Sequence, residues 1–292
     1  MVKFTVISGS SSEVLAQNLA KKLGADFIKS NLRIFPDGES KITFQKIPQK
    51  NKIIVVQSTY PPVDENLIHA LAIISKAKEY GSEVIAVVPY MGYSRQDREF
   101  LPGEVITMKL IADLFKSVGT SRIIVVDIHS MMGLKYFKIK SRNITAIPDL
   151  AEYFSKLKLK NPLVVSPDKG GKNRAKEFAK FLKTEHISLE KERDLKTGKV
   201  KIKSLNFDEI TGRDLIIVDD MISTGGSIVE ATKFLKRQKC KRVFVACTHA
   251  LLRNDAENKI RNAGVTKIIS SNTIPGKTSV VDVSDRIAKA II

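Results

Sequence analysis

The chain has 292 residues, 43% of them hydrophobic and 27% charged. This composition excludes a wholly disordered chain and leaves room for one large α/β domain or two of about 150 residues. No apolar run approaches the roughly 18 residues of a membrane span, and 49 Lys and Arg against 31 acids give a net charge of +18, which attracts phosphate as nucleic acid or as small ligands.

The chain opens on Phe4–Ser8, a short apolar strand entering a Ser/Gly turn and not a secretory leader, so a cytoplasmic location is expected. A helical stretch near 12–23 follows, with Ser10 and Glu13 spaced as a capping box. Strands Ile53–Ser58, Val84–Pro89 and Ile123–Ile128 then alternate with helical patterns near 65–80 and 105–118. Asn143, Pro148 and Asp149 break the pattern. It resumes with Leu163–Ser166, a helix near 171–182, Leu215–Asp219, a helix near 226–238, Val243–Cys247, a helix near 254–263 and Lys267–Ser270. Most of these strands are continuously apolar, as parallel strands covered on both faces are. The halves repeat at an offset of about 160 residues. The expected fold is therefore α/β with two domains, 1–146 and 147–292, each a mainly parallel sheet flanked by helices.

Two cysteines, Cys240 and Cys247, fit no zinc spacing and no disulfide framework, and read as free thiols. Residues 151–205 concentrate thirteen Lys and two Arg against seven acids. Without tryptophan, interleaved aromatics or a nucleic-acid motif, this surplus reads as a solvated face, and no specific nucleic-acid binding is expected.

The segment Leu215-Ile216-Ile217-Val218-Asp219-Asp220-Met221-Ile222-Ser223-Thr224-Gly225-Gly226-Ser227 carries the most chemistry. An apolar strand runs into two adjacent carboxylates, a hydroxyl- and glycine-rich loop follows, and a helix begins. Ligands of α/β proteins bind at the carboxyl ends of parallel strands. A Ser/Thr/Gly loop at a helix N-terminus offers amides, hydroxyls and a positive dipole end to a phosphate. Ionised carboxylates only accept hydrogen bonds, so the acid pair suits a partner rich in hydroxyls. A sugar phosphate satisfies both halves. The loop is neither the GxxxxGK[ST] nucleotide loop nor GxGxxG.

This segment resembles the phosphoribosyl-diphosphate (PRPP) loop shared by type I phosphoribosyltransferases and PRPP synthetases. Three further stretches resemble the synthetases alone. They are Arg33-Ile34-Phe35-Pro36-Asp37-Gly38-Glu39, Pro89-Tyr90-Met91-Gly92-Tyr93-Ser94-Arg95-Gln96-Asp97-Arg98, and Asn161-Pro162-Leu163-Val164-Val165-Ser166-Pro167-Asp168-Lys169-Gly170-Gly171. The similarity runs in order from about residue 4 to 275. It identifies the chain as a member of the ribose-phosphate diphosphokinase family, built of two phosphoribosyltransferase-like domains. A phosphoribosyltransferase would share the loop but not the other three stretches. A non-catalytic synthetase-like subunit would have lost the cations of the flap or the ATP loop, and both remain.

The resemblance implies transfer of the diphosphoryl group of ATP to the 1-hydroxyl of ribose 5-phosphate, with Mg²⁺ as cofactor, in a homo-oligomer. It places ATP on Phe35, Asp37, Gly38, Glu39, Arg95, Gln96 and Arg98. Ribose 5-phosphate falls to Asp219, Asp220, Ser223, Thr224, Gly225, Gly226 and Ser227, and the metal to His129, Asp168 and Asp127. Lys191 and Arg193 become the catalytic cations of a flap whose hairpin tip is Leu195–Lys199. The chain departs from the family at Ser223, where Asp is common, and at Lys138 and Arg142, where acids are common. Glu192 separates the two flap cations. Glu99–Val105 is a short loop without the basic residues of regulated members, so inhibition by ADP is expected to be competitive only.

Overall fold

The computed structural model describes residues 4–49, 52–189, 191–193, 200–202 and 210–292. These form two compact units. The first contains Met1–Thr145, Asn272–Pro275 and Asp282–Ile292, and the second Ala146–Ser271 and Gly276–Val281.

In chain order the first unit holds β1 (Phe4–Ser8), α1 (Glu13–Leu23), β2 (Asp26–Ile34), β3 (Ser40–Phe44), β4 (Lys52–Val56), α2 (Val63–Lys78), β5 (Glu83–Val88), α3 (Thr107–Ser117), β6 (Arg122–Val126), α4 (Met131–Leu134) and β7 (Lys140–Ile144). Its seven-stranded sheet runs β3-β2-β1-β4-β5-β6-β7. All neighbours are parallel except the hairpin β2–β3. Ile53, Val55, Val84, Ala86, Ile123 and Val125 are fully buried with Ile73, Ile111 and Phe115 of the helices, which is why these strands read as unbroken apolar runs.

The second unit holds α5 (Ile147–Ser155), β8 (Leu163–Ser166), α6 (Lys172–Leu182), β9 (Glu185–Ser188), the ribbon β10 (Lys191–Arg193) and β11 (Val200–Ile202), β12 (Asp214–Ile222), α7 (Gly226–Arg237), β13 (Arg242–Ala250), α8 (Ala256–Asn262), β14 (Val265–Ser271) and β15 (Ser279–Val281). Its six-stranded sheet runs β15-β14-β13-β12-β8-β9, all parallel. The order β2-β1-β4-β5-β6-β7 of the first unit and β9-β8-β12-β13-β14-β15 of the second is one topology used twice. Chain order reverses between β1 and β4, and again between β8 and β12. Such a switch point leaves a crevice at the strands' carboxyl ends.

Several local expectations need correction. The capping box at Ser10 and Glu13 does not form: the cap residue of α1 is Ser12, without a side-chain cap bond. Ser12 Oγ instead accepts the Ser58 N–H at 2.9 Å, tying two loops together at the switch point. The strand expected to end at Asp219 continues through both acids to Ile222, because β13 is equally long and pairs with it as far as Ala250. The last helix, α9 (Ser284–Ile291), belongs to the first unit and not to the second as the 147–292 division had it. Its backbone carbonyls explain the return. Arg122 Nη2 donates to the Ile291 oxygen at 2.8 Å and Arg142 Nη1 to the Ala290 oxygen at 3.2 Å. Among the described residues no helix is long and apolar enough to cross a membrane.

Candidate functional site

In the second unit the acid pair lies near the carboxyl end of β12, beside the end of β8. Asp220 is buried, and Asp219 is mostly so. The two are tied through the backbone: the Asp220 N–H donates to Asp219 Oδ1 and the Met221 N–H to Asp220 Oδ1, each at 2.9 Å. Arg174, in the first turn of α6, reaches both carboxylates, with Nη1 at 3.3 Å from Asp219 Oδ1 and Nη2 at 3.4 Å from Asp220 Oδ2. Burial and the neighbouring Asp220 push the Asp219 carboxyl up to about 8, and Arg174 opposes the rise. The sequence reading leaves Arg174 out. Its signal was a cation early in the helix that follows the Asp168 loop.

Ser223, Thr224, Gly225, Gly226 and Ser227 connect this strand to α7. Gly225 has φ +77°, and a Cβ there would lie 2.8 Å from Ile260 Cδ1, so the position accepts glycine for both conformation and space. The Arg253 N–H donates to the Ser223 oxygen at 3.0 Å, which fixes the entry to the loop. No side chain caps α7, so its first amides have no side-chain acceptor. Thr224, Gly226 and Ser227 are exposed. A cleft of about 560 Å³ opens on this loop, with Thr224, Gly226, Lys233 and Lys259 in its lining. The surroundings thus combine uncapped amides, hydroxyls and cations, which is an anion site by chemistry.

Asp168 follows β8, the neighbour of β12. Its Oδ1 accepts the Gly171 N–H at 3.0 Å, and its backbone oxygen accepts the hydroxyls of Ser166 (2.7 Å) and Ser188 (2.9 Å). The flap candidates Lys191 and Arg193 lie on β10, opposite Ile202 and Val200 of β11. The expected hairpin tip Leu195–Lys199 lies outside the described residues.

In the first unit, Phe35, Asp37, Gly38 and Glu39 form the turn between β2 and β3. The Phe35 N–H donates to the Glu39 oxygen at 2.8 Å, the Gly38 N–H to the Phe35 oxygen at 2.9 Å, and the Glu39 N–H to Asp37 Oδ1 at 3.1 Å. Gly38 has φ +91°. The Arg33 guanidinium sits 5.2 Å from the Phe35 ring centre. Arg95, Gln96 and Arg98 are exposed on the segment after β5, while Asp97 between them is buried. Asp97 is the anchor of that segment. Its carboxylate accepts the Ser130 hydroxyl, and its backbone oxygen accepts the Tyr136 hydroxyl at 2.8 Å. Ser130 adjoins the exposed His129, and Asp127 stands two residues before it with φ +39°. The structure therefore brings Arg95–Arg98 to the His129 loop. It does not bring the Phe35 turn to them: β1 and β4 intervene between β2 and β5, a separation of roughly 14 Å across the sheet.

Comparison with known proteins accounts for both units. Residues 4–119 match the model described as the N-terminal domain of ribose phosphate pyrophosphokinase, and residues 138–285 match the phosphoribosyl transferase domain. The chain is 38% identical to the ribose-phosphate pyrophosphokinase of Sulfurisphaera tokodaii, over 98% of this chain and 99% of that one. It is 36% identical to that of Sulfolobus acidocaldarius, with the same coverage. The crystal structure of phosphoribosylpyrophosphate synthetase from Mycobacterium smegmatis superposes with a TM-score of 0.87 at 26% identity, over 99% of this chain and 97% of that one. Relatives of matching length leave no room for a single-domain phosphoribosyltransferase, and the chain belongs to the ribose-phosphate pyrophosphokinase family.

Proposed function

We infer that the sites of both units serve one reaction. The enzyme moves the diphosphoryl group of ATP to the 1-hydroxyl of ribose 5-phosphate, giving PRPP and AMP for nucleotide biosynthesis. The observation that best supports the placement of the sugar phosphate is the acid pair at the end of β12, continuous with the uncapped N-terminus of α7. Asp219 and Asp220 accept the ribose hydroxyls, and Ser223, Thr224, Gly225, Gly226 and Ser227 hold the 5-phosphate. Arg174 and the Asp220 and Met221 amides fix the pair before substrate arrives, so little reorganisation remains for binding.

ATP takes Phe35 as a stacking face for its base, with Asp37, Gly38 and Glu39 as polar contacts and Arg95, Gln96 and Arg98 on the phosphates. The separation of these two groups within one chain favours a homo-oligomer in which a second copy supplies one of them. Lys191 and Arg193 bring cationic charge to the moving diphosphoryl group when the ribbon closes over it.

Among the described residues no group of three His, Cys, Asp or Glu side chains converges where a metal could sit. This donor set suits Mg²⁺, which is usually held by one or two carboxylates together with water and substrate phosphates. In the first unit Asp127 would offer an oxygen, with His129 acting through water, and in the second unit Asp168 would offer one. When bound, the ion neutralises charge on the transferred phosphates. The direct experiment is to incubate the protein with ATP, Mg²⁺ and ribose 5-phosphate. AMP and PRPP in equal amounts are expected; ADP with a phosphorylated sugar would refute the reading.

A further inference from the structure

His69 is a buried side chain to which none of the roles above gives a task. It lies on α2 at 3% exposure, with Nε2 at 2.8 Å from Ser40 Oγ. Its Nδ1 is buried without a hydrogen-bond partner. Burial lowers its proton affinity and the nearby Glu65 opposes this, which favours the neutral ring. A half-satisfied imidazole is an unfavourable occupant of an apolar helix face, where leucine would pack without an orphaned nitrogen. What it gains is one bond.

That bond goes to a particular place. Ser40 is the exposed first residue of β3 and directly follows the Phe35–Glu39 turn. The base of the hairpin is held by packing of Ile42 and Phe44 against the core. That packing is incomplete: a groove of about 390 Å³, with Ser40, Ile42, Phe44, Ile73 and Lys76 in its lining, runs between β3 and α2 from Ser40 toward the base of the hairpin. Among the described residues, the hydrogen bonds within the turn stay inside the hairpin. The Ser40–His69 contact, at the tip-side end of that groove, is a polar connection between the residue next to the turn and the helical layer.

We propose that His69 is a positioning residue for the ATP-binding turn, holding Phe35–Glu39 against α2 through Ser40. The proposal rests on the ATP reading of that turn. Without the bond the turn samples more conformations, and the ordering is then required at each binding event. The Michaelis constant for ATP rises while that for ribose 5-phosphate stays. A neutral hydrogen bond corresponds to about a 3- to 10-fold change.

The test uses steady-state kinetics on the intact enzyme with Ser40→Ala, His69→Leu, their double variant, His69→Gln and Phe35→Ala. Ser40 is exposed, so Ser40→Ala leaves the core intact, and its melting temperature checks this. The expected result is a 3- to 10-fold rise in KM for ATP alone for both single variants. The double variant should be no worse than the worse single, since both remove one bond. His69→Gln, which keeps a donor at similar reach, should recover part of the loss. If Phe35→Ala raises KM for ATP and Ser40→Ala does not, the positioning role is overturned and the ATP reading stands. Equal rises for both substrates, or additive effects of the two variants, also overturn it. If Phe35→Ala leaves ATP kinetics unchanged, the ATP reading falls and the proposal with it.

Discussion

Asp219 and Asp220 are each held by the amide of the next residue, Asp220 and Met221, and by Arg174, and the electrostatics follow from that geometry. A carboxyl raised to about 8 in the fold, against 3.8 when unfolded, makes the folded state bind more protons across that interval. Its contribution to stability is therefore most favourable at the acid end and declines as pH rises from about 4 to about 8. Asp219→Asn removes that decline. Relative to wild type, its melting temperature should be higher by a few degrees at pH 8 and little changed near pH 4. An equal shift at both pH values would mean that Arg174 already neutralises the pair. For binding, Asp220→Ala should weaken ribose 5-phosphate by about 10- to 150-fold, the range for a hydrogen bond to a charged group, and leave ATP nearly unaffected. Separate calorimetric titrations of the two substrates decide it, and a loss confined to ATP would move the acids to the other site.

At the scale of elements, the proposed roles of the ribbon β10–β11 and the Glu99–Val105 loop lead to separate tests. On the reading proposed above, Lys191 and Arg193, both on β10, act on the moving diphosphoryl group. Lys191→Ala and Arg193→Ala should each lower kcat by on the order of 10²-fold or more, with smaller changes in KM. Wild-type kcat in either variant would exclude that residue from catalysis. In the Glu99–Val105 loop both carboxylates close the loop on itself: Glu104 Oε2 accepts the Phe100 N–H at 2.9 Å, and Glu99 Oε1 accepts the Gly103 N–H. Phe100, Leu101 and Val105 are exposed beside them. A second anion site needs cations or clustered donors, and this loop presents acids and apolar side chains. ADP should therefore inhibit by competing with ATP alone, because an effector without a second site has nothing to couple to. Initial rates over a grid of ATP and ADP at constant free Mg²⁺ are the check, and inhibition that survives saturating ATP would contradict it. The elements themselves were legible to unequal degrees. Strands such as Ile53–Val56 and Val84–Val88, covered on both faces, announced themselves as apolar runs. The hairpin β2–β3 did not, because Leu32, Arg33, Ile34 and Lys41 mix on a half-exposed edge. Arg174 was hidden because only folding sets α6 beside the end of β12.

At the scale of the whole chain, the duplication was readable from repeated strand and loop patterns, but the path of the last residues was not. Nothing in Ser284–Ile291 says which sheet it serves; its apolar stripe of Ile287, Ala288 and Ile291 would suit either. The structure places it with the first unit, where α1 and β7 are its neighbours and Arg122 and Arg142 take up its last carbonyls. The Asn18 side chain also donates to Asp282 Oδ2 at 3.0 Å, joining α1 to the entry of this segment. The first unit is thus completed by a segment that follows the second sheet in sequence, and its stability depends on that segment. Ile287 is fully buried there. Ile287→Ala should destabilise the first unit by about 2–5 kcal/mol, the usual range for an isoleucine truncated in a core. Hydrogen exchange on the intact protein separates the two units. Peptides covering β1 and β4 should lose protection in the variant, while those covering β12 and β13 keep it. Loss of protection first in β12 and β13 would show that α9 stabilises the second unit, although the chain contacts assign it to the first.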